Sequence, residues 1–105
     1  MDVSVIIPSY NGARTLRDCI LAIVAQEWDR PWEIILADNG STDESVSIFL
    51  GLAEQYTHIS MWVVDASAKR GKAAALNLAI RRARGRAILL TDDDDLVAPG
   101  WLAAM

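Results

Sequence analysis

Four short apolar runs alternate with three stretches of helical periodicity, and each run breaks off into turn formers or acids. No linker, internal repeat or low-complexity segment interrupts them apart from one run of four Asp. Together these features predict an α/β protein, a Rossmann-like, doubly wound, mostly parallel sheet with right-handed crossovers and strand order 3-2-1-4. At 105 residues the chain is one domain at most, with a single core.

Strand one is expected over Val3 to Pro8, β-branched and nearly all apolar, stopped by Pro8 and the turn formers Ser9, Asn11 and Gly12. From Ala13 to about Gln26, the residues Leu16, Cys19, Ile20, Ile23 and Val24 recur at three- and four-residue steps, giving a helix with one buried face. Glu33 to Ala37 reads as strand two, closed by Asp38-Asn39-Gly40. Ser41 and Glu44 stand at capping-box spacing, and a second helical face runs through Val46, Phe49, Leu50 and Ala53 to about Tyr56. Ile59 to Val64 supplies strand three. Helix three then carries Ala73, Leu76, Ala79, Ile80 and Ala83 on one stripe, with Gly85 as its C-terminal stop. Strand four is Ala87 to Thr91, and the chain ends at Met105 in the first turn of a further helix.

The charge pattern narrows the function classes. The net charge of −4 comes from fourteen acids and ten bases, and without Asp92 to Asp95 the two would balance. The excess is therefore one local site. Seven of the ten bases fall between Lys69 and Arg86, directly before that site. A nucleic-acid reader is expected to be basic overall, so nucleic acid is excluded as a partner. Hydrophobic residues make up 52% and charged residues 23%, which is the balance of a globular chain. The single Cys19 rules out an internal disulfide, and no apolar run reaches membrane-spanning length. These observations place the chain in the cytoplasm, alone or as the cytoplasmic part of something larger.

In a doubly wound sheet, ligands bind beyond the carboxyl ends of the strands where the strand order reverses. Those ends carry Pro8-Ser9-Tyr10-Asn11, Asp38-Asn39 and Asp92 to Asp95. Two carboxylates about 5 Å apart repel by roughly 3 kcal/mol at an effective dielectric near 20, so the Asp run asks for a cation, protonation or full solvation. If the run is extended, Asp92 and Asp94 share a face, and Asp93 and Asp95 point away. Hard carboxylate oxygens suit Mg²⁺ or Mn²⁺ and leave positions open for phosphate oxygens. The plainer reading is a solvated acidic loop capping the next helix, and Asp95 taken alone fits it better.

Asp38 can accept a hydrogen bond from a base or ribose, or simply cap the following turn. Tyr10 and Asn11 can hold a base or serve as turn residues. Arg70 and Lys72, near the start of helix three, can neutralise a diphosphate or form a solvated face. A calcium loop, a phosphate-cradling NTPase loop and a dinucleotide fingerprint all lack required residues. Leu96 and Val97 interrupt the first, Ala73 and Ala66 the second, and no Gly-rich turn follows strand one.

Four blocks carry a wider likeness: Val3 to Asn11, Glu33 to Asp43, Arg70 to Asn77, and Leu90 to Asp95 with Pro99, Gly100 and Trp101 after. In order and spacing they resemble family 2 glycosyltransferases of the GT-A fold. The resemblance implies a site for a nucleotide-diphosphate sugar, a UDP-sugar above all, with Mg²⁺ or Mn²⁺ as cofactor. Pro8, Tyr10, Asn11 and Asp38 would surround base and ribose, and Arg70 and Lys72 would approach base or phosphate. Asp92 and Asp93 would face the donor, and Asp94 with Asp92 would hold the metal.

The resemblance also implies inverting transfer, which needs a base at the acceptor hydroxyl. Family members carry that base in an acceptor half beyond the Asp run, so residues 1–105 are expected to form the donor half alone, with little or no transferase activity. The alternatives are a sugar nucleotidyltransferase, disfavoured by Ser9-Tyr10-Asn11-Gly12 after strand one, and a non-catalytic nucleotide-binding module. An exposed edge at strand four would favour self-association.

Overall fold

The computed structural model describes residues 1–104, and Met105 lies outside the described residues. Four strands form one sheet: β1 (Val3–Ser9), β2 (Trp32–Asp38), β3 (Ser60–Asp65) and β4 (Ala87–Leu90), in the order β3-β2-β1-β4. All three pairings are parallel, as expected. The helices are α1 (Ala13–Val24), α2 (Ser45–Gln55), α3 (Lys72–Arg82) and a single turn, α4 (Trp101–Ala104). Among the described residues no helix is long and apolar enough to cross a membrane.

The central strands are buried on both faces, which explains their unbroken apolar runs. On one face Val3, Val5, Ile7, Ile34 and Leu36 pack with Leu16, Cys19, Ile20 and Ile23 of α1 and Phe49 and Leu52 of α2. On the other face Ile6, Ile35, Ala37 and Val64 meet Ala75 and Ala79, whose small side chains let α3 approach the sheet closely. α1 and α2 thus lie on one side and α3 on the other. The reversal of strand order falls between β1 and β4.

Three helix boundaries differ from expectation. The Ser41–Glu44 capping box does not form. Instead α2 starts at Ser45, whose backbone N–H donates to Asp43 Oδ1 at 3.0 Å, and Ser41 Oγ accepts from the Asn11 N–H at 2.9 Å. α1 ends at Val24, two residues before Gln26. α3 ends at Arg82 with Ala83 already extended, so Gly85 is not a helix stop. A Cβ on Gly85 would lie 2.4 Å from the Ser4 nitrogen. Glycine is needed there because two backbones touch, and its φ is not in the left-handed region.

The amino end of the sheet is closed by a buried carboxylate. Glu33, fully buried on β2, accepts from Ser4 Oγ (2.6 Å) and the Arg84 backbone N–H (2.7 Å) on Oε2. Its Oε1 accepts from Trp62 Nε1 (2.8 Å), Arg84 Nε (3.1 Å) and Arg84 Nη2 (3.0 Å). Burial alone would raise its pKa, but these hydrogen bonds hold it below the usual carboxylate value. One side chain therefore ties β1, β2, β3 and the α3–β4 link together.

Candidate functional site

The carboxyl ends of β1 and β2 and the segment after β4 open onto one crevice of about 330 Å³, lined by Pro8, Ser9, Tyr10, Asn39, Lys72, Ala75, Asp92, Asp93 and Asp94. This is the size expected of a small-ligand pocket. It stands at the β1/β4 switch, where residues far apart in sequence meet because of the topology.

The Asp run is not extended. β4 stops at Leu90, and the chain turns so that the Asp95 N–H donates to the Asp92 carbonyl at 3.2 Å. The alternation that would set Asp92 and Asp94 against Asp93 and Asp95 is therefore lost. Carboxylate oxygens of Asp92, Asp94 and Asp95 gather within 4.8 Å of one another. Asp95 has a second task, since its Oδ2 accepts from the Asp92 N–H at 3.1 Å and from Thr91 Oγ1 at 3.4 Å. It closes the turn that it ends and does not cap the next helix, which starts at Trp101, and it also sits in the acidic cluster.

Asp93 points the other way, accepting from Ser9 Oγ at 2.8 Å over the flat surface of Gly12. A Cβ on Gly12 would lie 2.1 Å from Asp93 Oδ2, so this position must be glycine for the acid to seat. Burial raises the Asp93 pKa, the Ser9 bond opposes this, and the charges of Asp94 and Asp92 add to the rise. A carboxyl raised above 3.8 on folding loses stability as pH rises through its folded pKa, and the loss vanishes below 3.8. Asp93→Asn keeps an oxygen for Ser9 and is expected to raise the metal-free melting point at pH 7 by roughly 2–5 °C. That gain should shrink towards pH 4 in a melting series; a lower melting point at pH 7 would contradict this account.

α1 holds the acidic turn by its backbone. Thr15 Oγ1 donates to the Asp93 carbonyl at 3.0 Å, and the Cys19 thiol donates to the Asp92 carbonyl at 3.3 Å. Further along, Gln26 Nε2 donates to the Ala98 carbonyl and Gln26 Oε1 accepts the Leu102 N–H, both at 3.0 Å. Burial and then the neighbouring acids push the Cys19 thiol up to about 12, so it is a hydrogen-bond donor and not a nucleophile. Cys19 lies on a core stripe, and sequence reasoning assigned it no role.

The remaining residues fall into two groups. Lys72 reaches Asp92, Nζ to Oδ1, at 2.5 Å, and that hydrogen bond and charge raise its pKa. Tyr10 is exposed, with the Arg70 guanidinium 4.8 Å above its ring. Asn11, by contrast, is committed to the fold: its Oδ1 accepts from the Thr42 N–H (2.7 Å) and the Asp43 N–H (3.3 Å), which locks the β1–α1 and β2–α2 loops together. It adopts a positive φ of 53° to do so.

Asp38 caps the following turn, as one of its two readings expects. Oδ2 accepts from the Gly40 and Ser41 N–H groups, while Oδ1 is buried and has no hydrogen-bond partner. Asn39, the next residue, donates to the carbonyls of Ala66 and Lys69 and accepts the Gly71 N–H at 2.9 Å. It sets the loop that presents Arg70 and Lys72.

The donor set fits a divalent cation. Oxygens at adjacent positions on a Mg²⁺-sized ion are about 3 Å apart and at opposite positions about 4.2 Å, so the three carboxylates, within 4.8 Å of one another, would draw closer to share one ion. Asp92 and Asp94 offer atoms not engaged by backbone donors.

Fold and crevice together define an open, parallel α/β domain with an acidic crevice at its switch point. The profile of glycosyl transferase family 2 matches residues 4–105, and the chain belongs to that family. Glycosyltransferase GlyG of Streptococcus pneumoniae is 37% identical over 98% of this chain and 33% of its own length. The uncharacterized glycosyltransferase YfnE of Bacillus subtilis is 36% identical over 98% of this chain and 26% of its own. The chain thus spans about a quarter to a third of the length of these curated relatives.

Among solved structures, the mannosyltransferase PcManGT from Pyrobaculum calidifontis, in complex with GDP-Man and Mn²⁺, superposes with a TM-score of 0.89 at 36% identity, covering 96% of this chain and 30% of that one. Residues 1–349 of Staphylococcus aureus TarS share the fold, with a TM-score of 0.83 at 23% identity over 99% of this chain and 31% of that one. The GT-A type of sheet implied by the four sequence blocks is what the chain has.

Proposed function

We propose that the chain binds a nucleotide-diphosphate sugar with Mg²⁺ or Mn²⁺, as the donor-binding part of an inverting glycosyl transfer to an acceptor hydroxyl. The observation that carries this reading is the meeting of Asp92, Asp94 and Asp95 oxygens within 4.8 Å in the switch-point crevice of a family 2 chain. Tyr10 and Arg70 flank the base, beside Pro8. Asp38 Oδ1, buried and unpartnered, is an acceptor for a ribose or base donor. Asn11 contributes by fixing the loop from which Tyr10 projects.

Asp92 and Asp94 would hold the cation, with Asp95 beside them, and Asp93 would be kept in place by Ser9. When bound, the cation supplies neutralisation of the departing diphosphate. Lys72, paired with Asp92 at the α3 N-terminus, would add a positive charge for the phosphate oxygens. The match to GDP-Man in PcManGT and the UDP-sugar expected from the sequence leave both bases to be tested. Residues 1–105 act as a donor-binding unit, and transfer by them alone is expected to be weak or absent.

Calorimetry with UDP and with GDP, in Mn²⁺ and again in EDTA, tests the reading. One nucleotide should bind in Mn²⁺ and lose that binding in EDTA. Equal affinity in both conditions would refute the metal bridge, and no binding of either nucleotide would refute the donor site.

A further inference from the structure

Asn39 lines the crevice, yet every hydrogen bond of its side chain goes to one loop, residues 66–71 between β3 and α3. The residue is buried, and its backbone N–H donates to the Ser9 carbonyl at 2.9 Å, which ties it to the end of β1. From that base Nδ2 donates to the carbonyls of Ala66 at 2.8 Å and Lys69 at 2.9 Å, and Oδ1 accepts the Gly71 N–H at 2.9 Å. Both amide donors are used, and the loop is held at its first, fourth and last residues. Among the described residues no other side chain bonds to the backbone of 68–71.

The loop carries the cationic wall of the crevice. Arg70 sits over the Tyr10 ring, and among the described residues no carboxylate lies within 4.0 Å of it, so its place follows from the loop backbone and that ring. Gly71, whose N–H Asn39 accepts, has a left-handed φ of 116° and turns the chain directly into α3. No side chain caps that helix start, and its first residue is Lys72. One amide therefore fixes the guanidinium over Tyr10, the ammonium beside Asp92 and the direction of the uncapped first turn of α3.

We propose that Asn39 is a positioning residue for the nucleotide, acting through Arg70 and Lys72 and not by a contact of its own. The inference rests on the donor-site reading given above. Asp38 and Asn39 are consecutive, so the acceptor offered to base or ribose and the amide that places the cations share one stretch of backbone. The spacing between the two is thereby set by covalent geometry and three hydrogen bonds. The residue type follows from the bonds. Asp in its place is the same size and keeps an acceptor for the Gly71 N–H, but turns a carboxylate oxygen towards two carbonyl oxygens, which removes two bonds and adds repulsion. Ser is too short to span the loop. Either change leaves the acidic turn untouched, since no bond of Asn39 reaches it.

A double-mutant cycle read by calorimetry in saturating Mn²⁺, with UDP and with GDP, tests the role. For the nucleotide that the parent chain binds, Asn39→Asp should raise the Kd about tenfold, and Arg70→Ala about tenfold. In the Arg70→Ala background, Asn39→Asp should add no more than about threefold, because one of the two groups it places is already gone. A merely structural defect at Asn39 acts independently of Arg70, and the two losses would then multiply to about 100-fold. Circular-dichroism melts of all four proteins check the fold. Should Asn39→Asp fail to fold, Asn39→Ser, which drops the amide without adding a charge, takes its place in the cycle with the same expected ranking. Parent-like affinity in both Asn39 variants would overturn the proposal, as would a full tenfold loss on top of Arg70→Ala. A parent chain that binds neither nucleotide would remove the donor site itself, and this role with it.

Discussion

Replacing Asp92 and Asp94 together by Asn is expected to remove Mn²⁺-dependent nucleotide affinity by at least about 100-fold while leaving the fold intact, because the two proposed cation ligands are lost and nothing in the core is touched. Four consecutive carboxylates in one tight turn repel in the absence of a cation. Neutralising two relieves that repulsion, so the metal-free protein should melt no lower than the parent. The comparison with Asp95→Asn is informative. Asp95 Oδ2 accepts from the Asp92 N–H and from Thr91 Oγ1, and an amide oxygen can do the same. That variant should preserve the turn and lose less affinity. Calorimetry of the variants in Mn²⁺ checks the ranking; undiminished binding by the Asp92/Asp94 double variant would place the cation elsewhere.

Glu33→Ala is expected to be the most damaging single substitution away from the crevice. Five donors converge on this carboxylate, among them both the backbone and the guanidinium of Arg84, and the residue has no exposure. Removing it leaves the Ser4 hydroxyl, the Trp62 indole N–H and the Arg84 backbone N–H without their acceptor, at about 1–3 kcal/mol for each buried group left unpaired. Against a typical total of about 5–15 kcal/mol for a domain, the variant should melt at least about 12 °C lower or not fold.

The pH dependence follows with a definite sign. The Glu33 pKa is lower in the folded protein than its ordinary 4.5, so its contribution is present above pH 4.5 and is lost as pH falls below it. Glu33→Gln should therefore flatten the acid limb of the stability profile as well as lower the plateau. A parent-like acid limb in denaturation series between about pH 2 and pH 5 would show that the buried acid is not the group responsible.

The strand order was legible because β1 to β3 are apolar, β-branched and punctuated by Pro8, Gly40 and Asp65, and that pattern survives in folded form. The crevice was legible for a topological reason: the ends of β1 and β2 and the start of the Asp run must meet if the order is 3-2-1-4. The arrangement within the acidic run was not. Side-chain alternation holds only while the backbone stays extended, and the Asp95–Asp92 turn ends that at Leu90.

Gly85 was misplaced, and the loop-locking bonds of Asn11 were not foreseen, for a related cause. A glycine after a helical stripe and a polar residue after a strand have common local readings, but here each is fixed by a neighbour far away, Ser4 in one case and Thr42 in the other. Glu33 left one readable signal, an acid opening an apolar strand opposite an Arg-rich helix end. Its depth of burial depends on β1, β3 and Arg84 arriving together.

The grip of α1 on the acidic turn makes cation binding a property of the whole chain. Thr15 and Asp93 are 78 positions apart, and Ser9 and Asp93 are 84 apart. The acidic turn is anchored only once the first helix has packed on one face of the sheet and the last strand has paired beside β1. An unfolded chain lacks those anchors. Any cation bound there is therefore linked to closure of the chain's two ends, and its free concentration acts on the folding equilibrium as a stabilising ligand.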